Sequence, residues 1–350
     1  FILIYLIYIY NRVDRYLDKM KPLKKILNIQ PINSIREYMS RKKNYRLCDF
    51  YVASSFKSYL PCTYYFDYAH TDAIKQALIY GARYIDLDVF NKNFNECTEP
   101  VVCSGKDLGN WHYTNRLKFD ECCETISKLA FSTIVPGGSD PLFINLNLNL
   151  DYNIYTMNKI AKSLIKYFSH KFMDKKYTYL GINENDPIKS ANIMTVPLYK
   201  LLNKVIIICD QDVSGSDLEE IVNISANKRG NLRQMTYFEV KQTYDAKEIT
   251  EYNKKNMTRV LPMEGLEYRT KKNINYATPW YMGCQFICMN YTKPDEYMEA
   301  YLERFKNTSF VLKPYKLRYH PTLIKAPDQQ IKEVSFAPEK VSTPSYSITY

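Results

Sequence analysis

The alternation of short apolar runs with longer amphipathic stretches constrains the fold of this chain most strongly. The predicted strands are FYVASS (50–55), RYIDLDVF (83–90), EPVVCS (99–104), LFINLNLNL (142–150), KVIIICD (204–210), TYFEV (236–240), TRVLP (258–262), GCQFICMN (283–290) and FVLKP (310–314). The predicted helices cover 70–82, 119–131, 154–169, 246–254 and 294–305. Because strands that alternate with helices form parallel sheets, this order predicts an α/β protein with a (β/α)8 barrel of the TIM type.

The composition is typical of a folded globular protein, with 46% hydrophobic and 24% charged residues. The nine cysteines are scattered without a metal-ligand spacing, so buried thiols are expected rather than zinc ligands or a disulfide framework. The net charge of +11 favours an anionic partner. Because no nucleic-acid-binding motif accompanies this charge, we expect a membrane with anionic lipids and no nucleic acid.

The amino terminus is apolar and is followed by a basic run. Residues 1–10, FILIYLIYIY, carry no charge, and the chain does not begin with Met. A membrane-spanning helix needs about 20 apolar residues, so we expect these ten to be the end of a transmembrane segment. The tyrosines near its polar boundary fit an aromatic belt, and the basic residues between 12 and 46 fit a cytosolic flank. This arrangement would place most of the protein on the cytosolic side. A short buried element or a signal segment is the alternative.

Several segments, in their order and spacing, resemble phosphatidylinositol-specific phospholipases C. The first half carries SSFKSYL (54–60), EPVVCSG (99–105) and PLFINLNLN (141–149), and the second half carries TPWYMGCQ (278–285) and VLKP (311–314). The resemblance covers about residues 48–315 and implies a distorted eight-stranded barrel with its active site at the carboxyl ends of the strands. It also implies a reaction with a general base, a general acid and a calcium ion.

The resemblance places both proton-transfer positions on unsuitable residues. The first histidine position falls on Phe56, which carries no proton, and the second falls on Ser104, whose hydroxyl is a poor acid near neutral pH. Both substitutions predict a pseudoenzyme. The alternative is an active phosphodiesterase with rebuilt catalytic groups, for which His70 or His112 would have to reach the barrel mouth.

The calcium-ligand positions are also altered. The resemblance places them at Lys57, Asp86, Asp88 and Asn147, so two carboxylates survive beside a cation. An ammonium can balance two carboxylates where a metal would otherwise sit. We therefore predict no metal and no other cofactor, with the Lys57 ammonium in ion-pair range of Asp86 or Asp88.

The headgroup-binding positions are only partly retained. Arg259 matches the substrate-binding arginine, but its tyrosine partner falls on Leu261. A serine position falls near Thr236 or Tyr237, and the lysines expected around 208–210 have no counterpart. A protein that binds phosphoinositide or other anionic headgroups through Arg259, Arg269 or nearby lysines is therefore a second hypothesis.

The first hypothesis for function is a catalytically inactive, membrane-anchored structural or interaction module with other structural proteins as partners. Abundant Tyr, Ile, Asn and Lys with only 10 Gly indicates an AT-rich coding genome, as in some large DNA viruses or protists, and a virion component is the corresponding expectation. The predicted parts are an anchor and basic juxtamembrane segment (1–47), a first barrel half (48–180), a connecting region with a barrel strand (181–234), a second barrel half (235–320) and an extended tail (321–350).

Overall fold

The computed structural model describes residues 1–7, 33–38, 45–61, 68–92, 99–106, 111–135, 137–181, 192–225, 232–262, 273–320 and 337–350. These residues belong to two compact units, Phe1–Arg318 and Tyr319–Tyr350. The strands of the first unit are β1 (Phe50–Ser55), β2 (Tyr84–Asn91), β3 (Pro100–Val102), β4 (Gly105–Lys106), β5 (Trp111–His112), β6 (Leu117–Lys118), β7 (Leu142–Asn149), β8 (Val205–Cys209), β9 (Val222–Ser225), β10 (Leu232–Thr236), β11 (Met257–Leu261), β12 (Phe286–Met289) and β13 (Phe310–Leu312).

Eight of these strands form a nearly closed parallel barrel. Their order is β10-β11-β12-β1-β2-β7-β8-β9, and each neighbouring pair is parallel. The α/β barrel predicted from the sequence is therefore confirmed. Its helices are α1 (Ile35–Tyr38), α2 (Thr71–Ile79), α3 (Phe119–Ala130), α4 (Ile154–Phe168), α5 (Tyr237–Gln242), α6 (Ala246–Lys255), α7 (Ala277–Tyr281) and α8 (Glu296–Arg304).

The alternating side chains of β7 lie in two different environments. On β7, Leu142, Ile144, Leu146 and Leu148 pack in the layer between the strands and the helices. The alternate residues face the barrel interior, where Phe143 joins a second apolar cluster with Tyr84, Ile206 and Phe286. Because strand residues alternate between faces, Asn145 and Asn147 continue this inner row toward the carboxyl end. The interior thus changes from apolar to polar along the strand.

The barrel is distorted where β1 meets β2. These two strands share a single register pair, Ser54↔Tyr84, because β13 pairs antiparallel with the first half of β1. Outside the barrel, β2 continues into an antiparallel β2-β3-β6 arrangement, and β4 pairs with β5. The described residues 100–106 and 111–118 thus extend from the carboxyl end of β2, where β3 pairs with Val89–Asn91.

The sequence prediction was wrong at two places in the second half. Within the predicted strand 236–240, Thr236 ends β10 and residues 237–240 belong to α5. The helix starts here because Thr236 and Glu239 form a reciprocal capping box. The barrel strand lies just before the helix, as β10. In addition, β9 was not predicted, and the β8–β9 connection contains only a 3-10 turn, Asp217–Glu220. The predicted connecting region 181–234 therefore supplies β8, β9 and the start of β10 to the barrel wall.

The two ends of the chain are described only in part. Residues 2–7 are helical, and the side chains of residues 1–7 are exposed. Across the described ranges, no helix is both long enough and apolar enough to cross a bilayer. Residues 8–32 and 39–44, with most of the basic run, lie outside the described residues. In the second unit, β14 (Lys340–Ser342) and β15 (Ser347–Thr349) form an exposed hairpin, which the prediction of an extended tail did not include.

The described cysteines are all buried free thiols. They are Cys48, Cys103, Cys122, Cys123, Cys209, Cys284 and Cys288. Burial raises the pKa of Cys48, Cys103 and Cys284 to about 12. Such thiols stay protonated and behave as small apolar side chains near neutral pH.

Candidate active site

A cluster of buried polar side chains lies at the carboxyl ends of the strands, where barrels of this type carry their active sites. Lys57 follows β1, while Asp86 and Asp88 lie on β2. Asn147 comes from β7 and Arg259 from β11, on opposite sides of β1 and β2 in the strand order. The fold therefore brings together residues that are up to about 200 positions apart in the sequence.

The Lys57 ammonium is paired with Asp88. Its Nζ lies 2.5 Å from Asp88 Oδ2, and the lysine side chain is 19% exposed. Lys57 has a φ of 40°, in the left-handed region that a non-glycine residue seldom adopts. In this conformation its backbone N–H also donates to Asp86 Oδ2 at 3.1 Å. The predicted ion pair is confirmed, and both main chain and side chain of Lys57 neutralise carboxylate oxygens.

Two further side chains donate hydrogen bonds to Asp88. Asn147 Nδ2 donates to Asp88 Oδ1 at 2.7 Å, and the Tyr59 hydroxyl donates to Oδ2 at 2.8 Å. Burial by itself raises the pKa of Asp88, but the nearby Lys57 ammonium and these hydrogen bonds outweigh burial and lower it. Asp88 is therefore an ionised, fully hydrogen-bonded carboxylate rather than a proton donor.

Asp86 is completely buried and is held by amides and a guanidinium. Asn145 Nδ2 and Asn147 Nδ2 donate to its Oδ1 at 2.8 and 3.0 Å. Arg259 Nη1 lies 3.7 Å from the same oxygen. Burial raises the pKa of Asp86 despite the opposing charge of Arg259. Asp86 and Asp88 therefore each have a cation beside them, Arg259 and Lys57 respectively.

Arg259 is buried inside the barrel, with only 3% of its surface exposed. Its Nη1 donates to the Tyr84 hydroxyl at 2.8 Å, and its Nη2 donates to Gln234 Oε1. The described polar contacts of the guanidinium are thus all with protein groups. A role for Arg259 in headgroup binding stays a prediction. Leu261, at the position of the expected tyrosine partner, is a buried apolar residue. Arg269 lies outside the described residues.

The two positions expected to hold histidines are buried and cannot transfer a proton near neutral pH. Phe56 packs in the inner apolar cluster, and its backbone N–H donates to the Met289 carbonyl at 2.8 Å. Ser104 is completely buried. Within the described part of the chain, its hydroxyl has no hydrogen-bond partner. A serine without a base to accept its proton is a poor general acid.

The two alternative histidines make local contacts. His70 is the N-cap of α2, where its Nδ1 accepts a hydrogen bond from the Asp72 N–H at 3.1 Å. His112, on β5, accepts a hydrogen bond from Arg116 Nε at 2.7 Å and packs edge-on against Phe90. Burial and the Arg116 charge lower the pKa of His112 to about 4. A histidine with this pKa is a weak base at neutral pH.

The residues at the calcium-ligand positions do not fit calcium. Calcium takes six to eight oxygen ligands in proteins. Here both oxygens of Asp86 and both oxygens of Asp88 accept hydrogen bonds from protein groups, and one of these donors is the Lys57 ammonium, which would repel a metal ion. In the described ranges, no group of three or more His, Cys, Asp and Glu side chains is arranged to hold a metal ion. The side chain of Lys57 supplies the positive charge that a metal would bring.

Sequence reasoning missed several residues of this cluster. They are Tyr59, Tyr84, Asn145, Asp210 and Gln234. The alternation in LFINLNLN was a usable signal, because period-two polar residues on a buried strand must face a polar interior. The positions considered for a headgroup serine, Thr236 and Tyr237, are instead the N-cap and first residue of α5.

Asp210, after β8, gives the site a pH-dependent contribution to stability. Burial raises its pKa to about 6, although it accepts a hydrogen bond from the Leu148 N–H at 2.8 Å. An acid with a raised folded-state pKa destabilises the fold when ionised. This cost is absent below the unfolded-state pKa of about 4 and complete above about pH 6.

We expect Asp210→Asn to raise the free energy of unfolding by about 3 kcal/mol at pH 7.5 and to leave it nearly unchanged at pH 4. The amide keeps an acceptor for Leu148 and removes the charge. Denaturant unfolding at both pH values measures the difference, with the exposed Asp174→Asn as the control. A gain of equal size at pH 4 would show that the ionisation of Asp210 is not its cause.

The comparisons with known proteins agree with this architecture. Residues 43–209 match the profile described as phosphatidylinositol-specific phospholipase C, X domain, and residues 204–316 match the Y domain of the same family. The crystal structure of L. pealei PLC21 is similar, with a TM-score of 0.64 and 18% identity over 83% of this chain and 40% of that one. S. officinalis PLC21 gives a TM-score of 0.63 at 18% identity, over 79% and 38% of the two chains.

The fold and the position of the site define a phospholipase C-type catalytic barrel. The chain belongs to the phosphatidylinositol-specific phospholipase C family. It spans about two fifths of the length of the two PLC21 proteins. No curated protein is significantly similar to it in sequence.

Proposed function

We propose that this chain is a catalytically inactive member of its family that acts as a membrane-attached structural or interaction module. The AT-rich signature of its composition favours a virion of a large DNA virus as the setting. The proposal has two parts, the loss of turnover and the attachment to a membrane, and each has its own support.

The loss of turnover is supported above all by the Lys57 ammonium among the former metal ligands. It pairs with Asp88 at 2.5 Å, and the remaining oxygens of both carboxylates are also engaged. Phe56 and Ser104 add the loss of both proton-transfer groups. General acid–base catalysis contributes roughly 10²–10⁴-fold per group, so the combined loss removes most of the catalytic rate enhancement.

Membrane attachment is supported by the apolar amino terminus. All seven side chains of residues 1–7 are exposed and uncharged, and the sequence continues into a basic run. Transfer of an exposed apolar helical segment into a bilayer is favourable because it removes apolar surface from water. The adjacent basic residues are attracted to anionic lipid headgroups.

The test of turnover is phosphatidylinositol hydrolysis by the full chain, with calcium and with a chelator. We expect no product above a buffer blank in either condition, while an active phospholipase C of the family releases inositol phosphate under its own conditions. Turnover that is independent of calcium and is lost in His112→Ala would contradict the proposal. It would instead identify an active phosphodiesterase with a rebuilt proton-transfer group.

A further inference from the structure

A group of cations lies at the amino ends of the barrel strands, at the pole opposite to the candidate active site. We call it the basic pole, and its members are Arg36, Lys171, Lys175, Lys176, Lys200 and Lys204. Five of the six belong to the connection from α4 to β8. In the described parts of that connection, 169–181 and 192–204, Asp174 is the one acidic residue. The described parts of this connection therefore carry more cations than acids, and two of the cations are paired: Lys175 with Glu220 at 3.4 Å and Lys176 with Asp174 at 3.9 Å.

Side-chain and backbone contacts join the parts of the basic pole into one surface. Lys204 Nζ donates to the Phe172 carbonyl at 3.0 Å, and Lys171 Nζ lies 4.2 Å from the centre of the Phe131 ring. The backbone N–H of Asn203 donates to the Ser139 carbonyl at 2.8 Å. The α4–β8 connection is thus packed against the segment that precedes β7.

The chain before the barrel docks on this same surface. Ser34 Oγ lies 2.6 Å from Ser139 Oγ, and the Ile35 N–H donates to Asp140 Oδ1 at 2.9 Å. Further along, the Leu198 N–H donates to the Tyr45 carbonyl at 2.9 Å. The polypeptide that leads from the apolar amino terminus into β1 therefore reaches the barrel at the basic pole.

Apolar side chains are exposed beside these cations. Ile134, in the connection before β7, is 74% exposed, and Tyr199 is 45% exposed. The Lys200 ammonium lies 6.0 Å from the centre of the Tyr199 ring. Mixed basic, aromatic and aliphatic surface is typical of proteins that rest in the headgroup region of a bilayer. The exposed aliphatic side chain of Ile134 favours a bilayer over a nucleic acid, which is bound through charge and aromatic stacking.

We propose that the basic pole lies against an anionic membrane, so that the candidate active site faces away from the lipid. This inference rests on the proposed membrane attachment and adds its orientation. Each lysine or arginine held near an anionic surface strengthens binding by about fivefold. The arrangement fits a barrel that does not act on the lipid to which it is attached, and it leaves the mouth open to a soluble protein partner.

The experiment places one fluorophore at each pole of the full chain on vesicles that carry nitroxide-labelled lipid. The label goes on Ile134→Cys at the basic pole or on Tyr155→Cys at the start of α4, on the opposite pole; both residues are exposed. The unsubstituted chain, labelled in parallel, gives the background. On phosphatidylcholine–phosphatidylserine vesicles we expect several-fold stronger quenching of the label at 134 than at 155. Equal quenching, or stronger quenching at 155, would overturn the orientation.

Charge reversal tests the contribution of the basic pole. Lys175→Glu/Lys176→Glu/Lys200→Glu is expected to weaken quenching at 134 by more than tenfold in vesicle titrations. The matched control, Lys92→Glu/Lys118→Glu/Lys241→Glu, reverses the charge of three exposed lysines at the other pole. We expect it to leave the quenching of the label at 134 unchanged. Thermal unfolding shows whether each variant is folded.

The outcomes separate the two proposals. Failure of the full chain to associate with any vesicle would remove the proposed attachment and the orientation together. Association with stronger quenching at 155 would remove the orientation alone. Protection of the label at 134 by a single-stranded oligonucleotide, without quenching on anionic vesicles, would assign the basic pole to a nucleic acid and overturn the membrane interpretation.

Discussion

Replacing Lys57 by methionine is expected to lower the free energy of unfolding by about 3–5 kcal/mol at neutral pH. The substitution removes the ammonium that lies 2.5 Å from Asp88 Oδ2 and leaves a carboxylate buried beside a second carboxylate, Asp86. Breaking one side of a buried ion pair is costly because the remaining charge loses its partner without regaining water. Denaturant unfolding of the full chain at pH 7.5 measures the loss.

A second substitution shows whether the unpaired charge is the cause. The double variant Lys57→Met/Asp88→Asn removes both charges of the ion pair. The new amide oxygen at position 88 can still accept a hydrogen bond from Tyr59, so we expect most of the lost stability to return. Lys75→Met is the control, since Lys75 pairs with Asp72 at 2.7 Å on the surface and exposed pairs contribute at most about 1 kcal/mol. A double variant as unstable as Lys57→Met would show that packing, not charge, is responsible.

The ion pair of Lys57 and Asp88 also makes the stability of the protein depend on pH. Lys57 lowers the folded-state pKa of Asp88, so this pair stabilises the protein above the unfolded pKa of about 4 and loses its effect as acid protonates Asp88. In the methionine variant the lowering of the Asp88 pKa by the Lys57 ammonium is lost. The difference between the two proteins is therefore complete at neutral pH and shrinks in acid.

Local sequence patterns predicted most of the barrel because its strands are nearly continuous apolar runs. β1 matches the predicted 50–55 at both ends, and β7, β8, β12 and β13 lie within their predicted runs, while β11 begins one residue before its run. The failures have physical reasons. The capping box of Thr236 and Glu239 starts a helix where Tyr, Phe and Val favour a strand. The four-residue β9 has too little apolar length to stand out from its polar surroundings.

The site was predictable only where the resemblance supplied a position. The ion pair of Lys57 followed from the chemistry of a cation beside two carboxylates, and the structure confirms it. Nothing in the sequence near Tyr84 or Gln234 shows that both residues meet Arg259, since each lies on a different strand and the contacts depend on barrel closure. Long-range side-chain contacts of this kind follow from the three-dimensional register and not from local patterns.

Arg259→Met is expected to lower the free energy of unfolding by about 3–5 kcal/mol at neutral pH. The guanidinium is 3% exposed, lies 3.7 Å from Asp86 and donates a hydrogen bond to the Tyr84 hydroxyl at 2.8 Å. Its loss removes the counter-charge nearest to Asp86. Burial already raises the pKa of this carboxylate, so its ionised form becomes still less stable. The matched control is Arg233→Met on the neighbouring strand β10, because Arg233 pairs with Glu248 at the surface.

This variant also separates two roles for the arginine. If Arg259 were mainly a headgroup ligand, Arg259→Met would weaken retention of phosphatidylinositol-containing vesicles and change stability little. If it is mainly the counter-charge of Asp86, stability falls, and Arg259→Met/Asp86→Asn recovers most of it because both members of the pair are then neutral. Recovery in the double variant, with vesicle binding equal to that of the unsubstituted chain, would show that this arginine holds the barrel mouth together.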